Sequence, residues 1–271
     1  MMRFFDSTAQ PGGTSSRVLR FFPFLLLIGY YAYICITRHM DNPADKVFPT
    51  LTQIWDALVQ VSTHPDRTGK IWLWTDLAAT SERFGLSLAF VSTGVIFGLL
   101  MGLFPYVEAL LLRFFIALDK VVALSLLPLV MVMFGIGLQF HVGIVVLAVL
   151  PTVVLTAYGE TKAYPEQLKT KARTLGASNW ELAFRVVLPG IWPKVLDVGL
   201  RLNFKSLASM VIAAEMIVAN EGLGYRIAAV RRFMTMDVVI VYVVILTGLL
   251  FLLDVSVTRF IKWRYPFYNR D

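Results

Sequence analysis

The residues with the most chemistry to offer stand where charge is costly. Arg201 and Lys205 are one helical turn apart, with Asn203 between them, inside the apolar block Val195–Ala219. A cation within a bilayer-length block must pair, reach the surface or face water, and such residues mark solute pathways. Arg201 lies about 9 Å into the block at 1.5 Å per residue, close enough for its head to snorkel to the near surface. Lys205, about 15 Å in, is nearer the midplane. The expectation is that Lys205, with or without Arg201, lines a pathway and favours an anion. Glu215 stands near the other end of the block, with Glu221 beyond it. Paired with these cations or with Arg226, it reads as a gate or a helix anchor rather than a general acid.

Other reactive side chains lead nowhere catalytic. His141 has no second His, Cys or carboxylate cluster to complete a metal site, and reads as an interfacial side chain at a turn. Cys35 is the single cysteine and sits in an apolar run, so it forms no intrachain disulfide and no Cys-based metal cluster. Gly69-Lys70 is followed by Ile71 and lacks the earlier glycine of a P-loop, so the chain does not cradle ATP phosphates by that motif. No catalytic residue and no metal site is expected.

The elements that must position Arg201, Lys205 and Glu215 follow from composition. Of 271 residues 57% are hydrophobic and 16% charged, against about 25% charged in a soluble domain. The fold expected is therefore all-α and integral to a membrane, with a single domain over residues 1–271. Six blocks suit helices of about 20 residues: Val18–Thr37, Phe84–Phe104, Val121–Leu138, Val142–Tyr158, Val195–Ala219 and Val238–Ile261. A tight turn at Gln139-Phe140-His141 would join the third to the fourth. The first block, preceded by Arg17 and Arg20, is too long for a signal h-region and reads as a retained anchor. The net charge of +7 comes without a continuous basic run, which argues for loops at an anionic leaflet and against nucleic acid. Lys and Arg are more frequent beside the even-numbered turns of the chain, which favours both termini, the polar tail 1–17 and the segment 159–194 on the cytoplasmic side. Residues 38–83 would lie outside, carrying a short interfacial helix opened by a Thr50/Gln53 capping box with Leu51, Ile54, Trp55 and Leu58 along it. Gly94, Gly98 and Gly102 permit close helix approach.

The segment 159–194 is too polar to cross a membrane yet is patterned. Pro165 can open a helix, Leu168, Ala172 and Leu175 form one apolar face, and Gly176 suits a C-terminal cap. Ala177 leads into Ser178-Asn179-Trp180-Glu181, a capping box that opens a second helix. Trp180, Ala183, Phe184 and Val187 form its stripe, and Pro189 with Pro193 would stop it. A helix–glycine–helix knob either packs its stripes on its own spans or offers Trp180 and Phe184 to a partner's groove.

The run Lys171-Ala172-Arg173-Thr174-Leu175-Gly176-Ala177-Ser178 through Val186-Val187-Leu188-Pro189 resembles the EAA loop of ABC-importer permeases, E-A-A-x3-G-x9-I-x-L-P. Ala172, Gly176, Val186, Leu188 and Pro189 keep its spacing, while Thr170 and Lys171 replace its usual Glu and Ala. Leu127-Pro128-Leu129 with Phe134-Gly135-Ile136-Gly137, Gly199-Leu200-Arg201, Ala213-Ala214-Glu215-Met216 and Gly222-Leu223-Gly224-Tyr225 resemble motifs of the nitrate/sulfonate/taurine/bicarbonate group, as does Phe48-Pro49-Thr50. The resemblance implies a type I ABC importer permease of the bacterial inner membrane, with Leu168–Pro189 as the ATPase-coupling loop. It also implies a second permease copy, a cytoplasmic ATPase dimer that holds ATP and Mg, and an extracytoplasmic substrate-binding protein. This chain itself would hold no cofactor. A secondary transporter or channel would more often show paired broken helices or a clear repeat. A membrane-embedded enzyme would need convergent polar groups that the spans lack.

Overall fold

The computed structural model describes residues 13–42, 45–65 and 69–266. Residues 1–12 of the polar tail, Arg67, Arg270 and the side chains of Arg17 and Arg20 lie outside the described residues. Those described are helical, with one isolated β-bridge between Pro65 and Ile71. The helices are α1 (Gly13–Asp41), α2 (Leu51–Thr63), α3 (Trp72–Leu103), α4 (Pro105–Asp119), α5 (Leu127–Phe134), α6 (Leu138–Lys162) and α7 (Glu166–Thr174). They are followed by α8, an uninterrupted helical run Asn179–Val218, then α9 (Leu223–Arg231) and α10 (Met236–Arg264). Four of them, α1, α3, α6 and α10, are long and apolar enough to cross a bilayer. Two bent pairs bring the total to as many as six: α4 with Ala123–Phe134 at 83°, and α8 with α9 at 52°.

The third expected span, Val121–Leu138, is not one helix. Val122 is extended, a 3-10 turn follows at Ala123–Leu126, and Pro128 sits at the start of α5. The missing half of the span is α4, whose Glu108, Arg113 and Asp119 make it read as a loop although Pro105 marks its first turn. The joining turn also moves. Gly135 (φ +71°) and Gly137 (φ +155°) take backbone conformations that favour glycine, so the chain reverses there rather than at Gln139-Phe140-His141. Those three residues form the first turn of α6. His141 is buried, not interfacial, with Nδ1 2.7 Å from the Gly137 carbonyl.

The core lies where α3, α6 and α8 meet, around Val91, Val95, Val149, Val153, Ala157 and Val211. The Gly94, Gly98 and Gly102 stripe faces α6 at backbone range: a Cβ on Gly98 would stand 2.5 Å from the Val154 carbonyl oxygen and 2.6 Å from the Ala157 Cβ. The small residues therefore act within this chain, letting two spans approach further than side chains allow. A second cluster at the opposite end joins α2, α3, α9 and α10 through Ala57, Val61, Leu73, Leu223, Val241 and Tyr242. The Thr50/Gln53 capping box forms as expected. Leu51 and Trp55 point outward from α2, whose other face packs on the spans. α3 starts at Trp72, three turns before the expected Phe84, so residues 72–83 belong to a helix rather than to a connecting segment.

The close approach of α3 and α6 generates a test. Gly98→Leu drives side-chain atoms into the Val154 carbonyl, a backbone clash that costs at least the roughly 1–3 kcal/mol of ordinary overpacking. Lower membrane yield and a lower unfolding midpoint in detergent are expected, against little change for Gly29→Leu, where a Cβ meets nothing.

Candidate functional site

The knob is built from local signals. α7 ends in a Schellman motif: Gly176 adopts φ +86°, its N–H donates to the Arg173 carbonyl at 2.9 Å, and the Ala177 N–H reaches back to Ala172 at 3.0 Å. Ser178 and Glu181 then form the capping box, with the Glu181 N–H donating to Ser178 Oγ and the Ser178 N–H donating to Glu181 Oε2 at 3.1 Å. Pro165 caps α7 from outside instead of occupying its first position.

The second helix does not stop at Pro189 and Pro193. It continues to Val218 through π-turns at Leu182–Val187 and Val195–Leu200 and a 3-10 turn at Arg201–Asn203. A proline ring excludes the carbonyl of residue i−4 from normal helix geometry. The wider turn at Leu182–Val187 includes Arg185, whose carbonyl Pro189 would crowd, and so lets the run continue past that proline.

The stripes divide between own packing and exposure. Ala183 and Val187 are buried, and Ala172 and Leu188 pack against the main core. Leu175 is 88% exposed and Trp180 64%, with Leu168 also open. Gly176, Ser178 and Pro189 are exposed, and Ala177 and Phe184 half-buried. Trp180 and Phe184 lie tilted at 40° with centroids 4.2 Å apart, and both rings approach Phe104, at 6.2 and 6.4 Å. Phe104, missed in the sequence because it lies 76 positions from Trp180 (180 − 104), completes an aromatic triad with one open end.

The two cations in α8 part company. Arg201 is buried and paired, its Nε contacting Asp197 and its Nη1 donating to Asp254 Oδ1 at 2.9 Å and Thr258 Oγ1 at 3.0 Å. It clamps α8 to α10. Lys205 is exposed and meets no carboxylate among the described residues; Ser209, one turn on, donates its hydroxyl to the Lys205 carbonyl at 2.8 Å, and Ser206 is exposed beside it. An apolar groove of about 560 Å³ between α3, α8, α9 and α10 has Thr80, Ser81 and Ser256 as its polar side chains and does not include Lys205.

Glu215 is fully buried and pairs with neither α8 cation nor Arg226, but with Arg83 of α3. Arg83 Nη1 donates to its Oε1 at 2.6 Å, Thr80 Oγ1 at 2.9 Å, and the Gly224 N–H to its Oε2 at 2.9 Å. The expected partner Arg226 instead donates to Asp76 Oδ2 at 2.8 Å, beside Tyr242 Oη at 2.9 Å, and the Gly222 N–H donates to Asp76 Oδ1 at 2.9 Å. Leu223 N–H donates to Thr80 Oγ1 at 2.8 Å. The N-terminus of α9 thus has successive N–H groups satisfied by Asp76, Thr80 and Glu215. This clasp anchors the break between α8 and α9. Its α3 members recur at i, i+4 and i+7, a signal lost by reading residues 72–83 as a loop. Among the described residues no group of His, Cys, Asp and Glu is placed to hold a metal.

Residues 94–264 match the family of binding-protein-dependent transport system inner membrane components. The chain is 34% identical over 185 residues to the taurine transport system permease protein TauC of Escherichia coli K12, covering 68% of this chain and 67% of that one. It is 29% identical over 232 residues to a Methanocaldococcus jannaschii protein named as an ABC transporter permease, covering 84% of each. A third relative, named as the aliphatic sulfonates transport permease SsuC of Escherichia coli K12, is 34% identical over 139 residues, covering 51% of this chain and 52% of its own length.

The clasp predicts a specific pattern of destabilisation. Arg83→Met strands a buried carboxylate, which costs about 3–5 kcal/mol. Arg83→Met with Glu215→Leu together is expected to cost less than the sum of the singles, read from unfolding midpoints of the purified protein.

Proposed function

The chain belongs to the inner-membrane permeases of binding-protein-dependent ABC transport systems, and on that premise we propose what it carries, what drives it and where each contact lies. It is a membrane-spanning transport subunit and not an enzyme. Its solute is a small anion of the sulfonate class. The observation that carries this reading is Lys205, exposed on α8 beside Ser206 and without a carboxylate partner among the described residues. An ammonium inside a span is too costly to keep without water or an anion, and the Ser206 hydroxyl beside it can donate to an oxygen of a tetrahedral anion, whereas the Ser209 hydroxyl donates to the Lys205 carbonyl at 2.8 Å. Two relatives are named for taurine and aliphatic sulfonates, which supports the same class.

The knob docks the ATPase. Leu175 and Trp180 are large apolar side chains left open at its tip, and such residues fill partner grooves. Gly176, Ala177 and Ser178 set the turn that presents them, while Leu168 and Phe184 flank it. Ala172, Leu188 and Pro189 root the knob on the spans. The working assembly is two copies of this chain, a cytoplasmic ATPase dimer that binds ATP and Mg, and an extracytoplasmic binding protein that selects the solute. Alternating access follows if one permease conformation fits only the closed ATPase pair. The knob and both termini face the cytoplasm of a bacterial inner membrane, as the Lys and Arg distribution favours.

Two substitutions separate the roles. Lys205→Met is expected to cut uptake of a sulfonate solute by about tenfold or more, the loss of one charge-assisted hydrogen bond, with the ATPase still co-purifying. Unchanged uptake would exclude the pathway role. Trp180→Asp, by contrast, removes an exposed side chain that docking would bury, an anchor worth about 2 kcal/mol or more, and is expected to lose both ATPase co-purification and uptake while still inserting in the membrane.

A further inference from the structure

α3 and α4 meet at a single non-helical residue. Leu103 ends α3, Pro105 begins α4, and Phe104 between them is extended at φ −116° and ψ 112°. The Phe104 N–H closes α3 on the Leu100 carbonyl at 2.9 Å, and the Phe104 carbonyl opens α4 by accepting the Glu108 N–H at 3.0 Å. Pro105 has its own φ fixed by its ring and no N–H to brace the joint. A change in the angle between α3 and α4 therefore falls on the torsions of Phe104.

The side chain of that same residue is the one the knob touches. Its ring lies 6.2 Å from Trp180 and 6.4 Å from Phe184, and those two rings meet at a tilt with centroids 4.2 Å apart. Trp180 is the open end of the triad, whereas Phe184 and Phe104 are half-buried. On the other side of the joint, Glu108 in the first turn of α4 accepts Lys162 Nζ at 2.6 Å and Tyr158 Oη at 2.5 Å. Lys162 is the last residue of α6, next to the knob. The joint is thus touched by two rings of the knob, and the first turn of α4 by the end of α6 that leads into it.

A short displacement at this joint becomes a long one inside the membrane. α4 has 15 residues, a lever of about 22 Å at 1.5 Å per residue. A turn of about 10° at Phe104 moves its far end by about 4 Å at that length, and the far end leads into the 83° bend before α5. Hinges of this kind are a few element-terminal residues that absorb the torsion change.

We propose that Phe104 is the positioning residue that carries ATPase motion into the spans: displacement of Trp180 moves the Phe104 ring, and the ring turns the α3–α4 joint. The proposal rests on the knob being the ATPase dock. Packing alone would make Phe104 a filler that any apolar side chain of similar volume replaces. A coupling role requires the ring.

The test uses the full permease–ATPase complex in proteoliposomes supplied with its binding protein and radiolabelled taurine as the sulfonate probe. It reads ATPase co-purification, ATP hydrolysis and solute moved per ATP. Phe104→Leu is expected to keep the ATPase bound and hydrolysing within about twofold while solute per ATP falls about tenfold, as expected of a hinge whose closure no longer follows binding. Phe104→Tyr, which keeps the ring, restores the ratio. A wild-type ratio in Phe104→Leu overturns the proposal, as does a Phe104→Tyr ratio as low as that of Phe104→Leu. Phe104→Met repeats the measurement should the leucine variant not accumulate. Trp180→Ala and Phe104→Leu combined should be no worse than the poorer single variant if both lie on one route; losses that multiply overturn it. Retention of the ATPase by Trp180→Asp would instead sink the docking reading, a failure visible without any Phe104 variant.

Discussion

Inside a bilayer no water is available to satisfy a freed backbone N–H, so a helix can break at membrane depth only where protein groups take over its hydrogen bonds. The gap between α8 and α9 meets that demand with three side chains. Asp76, Thr80 and Glu215 receive the N–H groups of Gly222, Leu223 and Gly224. Two of the three are carboxylates, and they in turn require Arg226 and Arg83. The two ion pairs cross-brace α3 with α8 and α9. Buried ion pairs contribute little net stability, because desolvation offsets their attraction, so what this clasp supplies is geometry. It fixes one end of α3 while the other ends at the single-residue joint of Phe104.

The knob obeys the opposite logic. Its shape is fixed by bonds made within a few residues, the Schellman motif around Gly176 and the capping box of Ser178 and Glu181. A turn that is rigid on its own account does not need its apolar tip for folding. Leu175 and Trp180 are left open for that reason, and the Trp180 ring is backed by Phe184 and Phe104. A contact made at Trp180 is then felt at the α3–α4 joint, while the clasp keeps the far end of α3 in place.

What could be read from the sequence divides by range. Thr50 with Gln53, Ser178 with Glu181 and Gly176 were legible because both partners lie within four residues. The apolar blocks were legible because bilayer thickness sets their length. Residues 72–83 were misread because Asp76 and Arg83 look like loop charges until their partners Arg226 and Glu215, more than a hundred residues away, are in place. α4 was hidden for a similar reason: Glu108 and Asp119 dilute its apolar character, yet one meets Lys162 and Tyr158 and the other Thr152. Pro189 and Pro193 obeyed the local rule for helix stops only in part, since the helix runs past both, with a π-turn shortly before Pro189. Arg201 and Lys205 look alike in the sequence, yet Arg201 clamps α8 to α10 while Lys205 has no carboxylate partner among the described residues, a difference set by Asp254 and Thr258 more than fifty positions away.

The central claim is that the exposed tip of the knob is the surface on which the ATPase sits. The most direct measurement places a single reactive thiol there: Leu175→Cys in a Cys35→Ser background, labelled with a maleimide–benzophenone reagent, whose photoactivated end inserts into any C–H bond in reach, and irradiated in membranes that also contain the ATPase. Leu175 is 88% exposed and does not belong to the core, so the substitution leaves packing alone. The account predicts a covalent permease–ATPase adduct whose yield changes when ATP is added. Absence of any adduct in a complex that still transports its solute would contradict it.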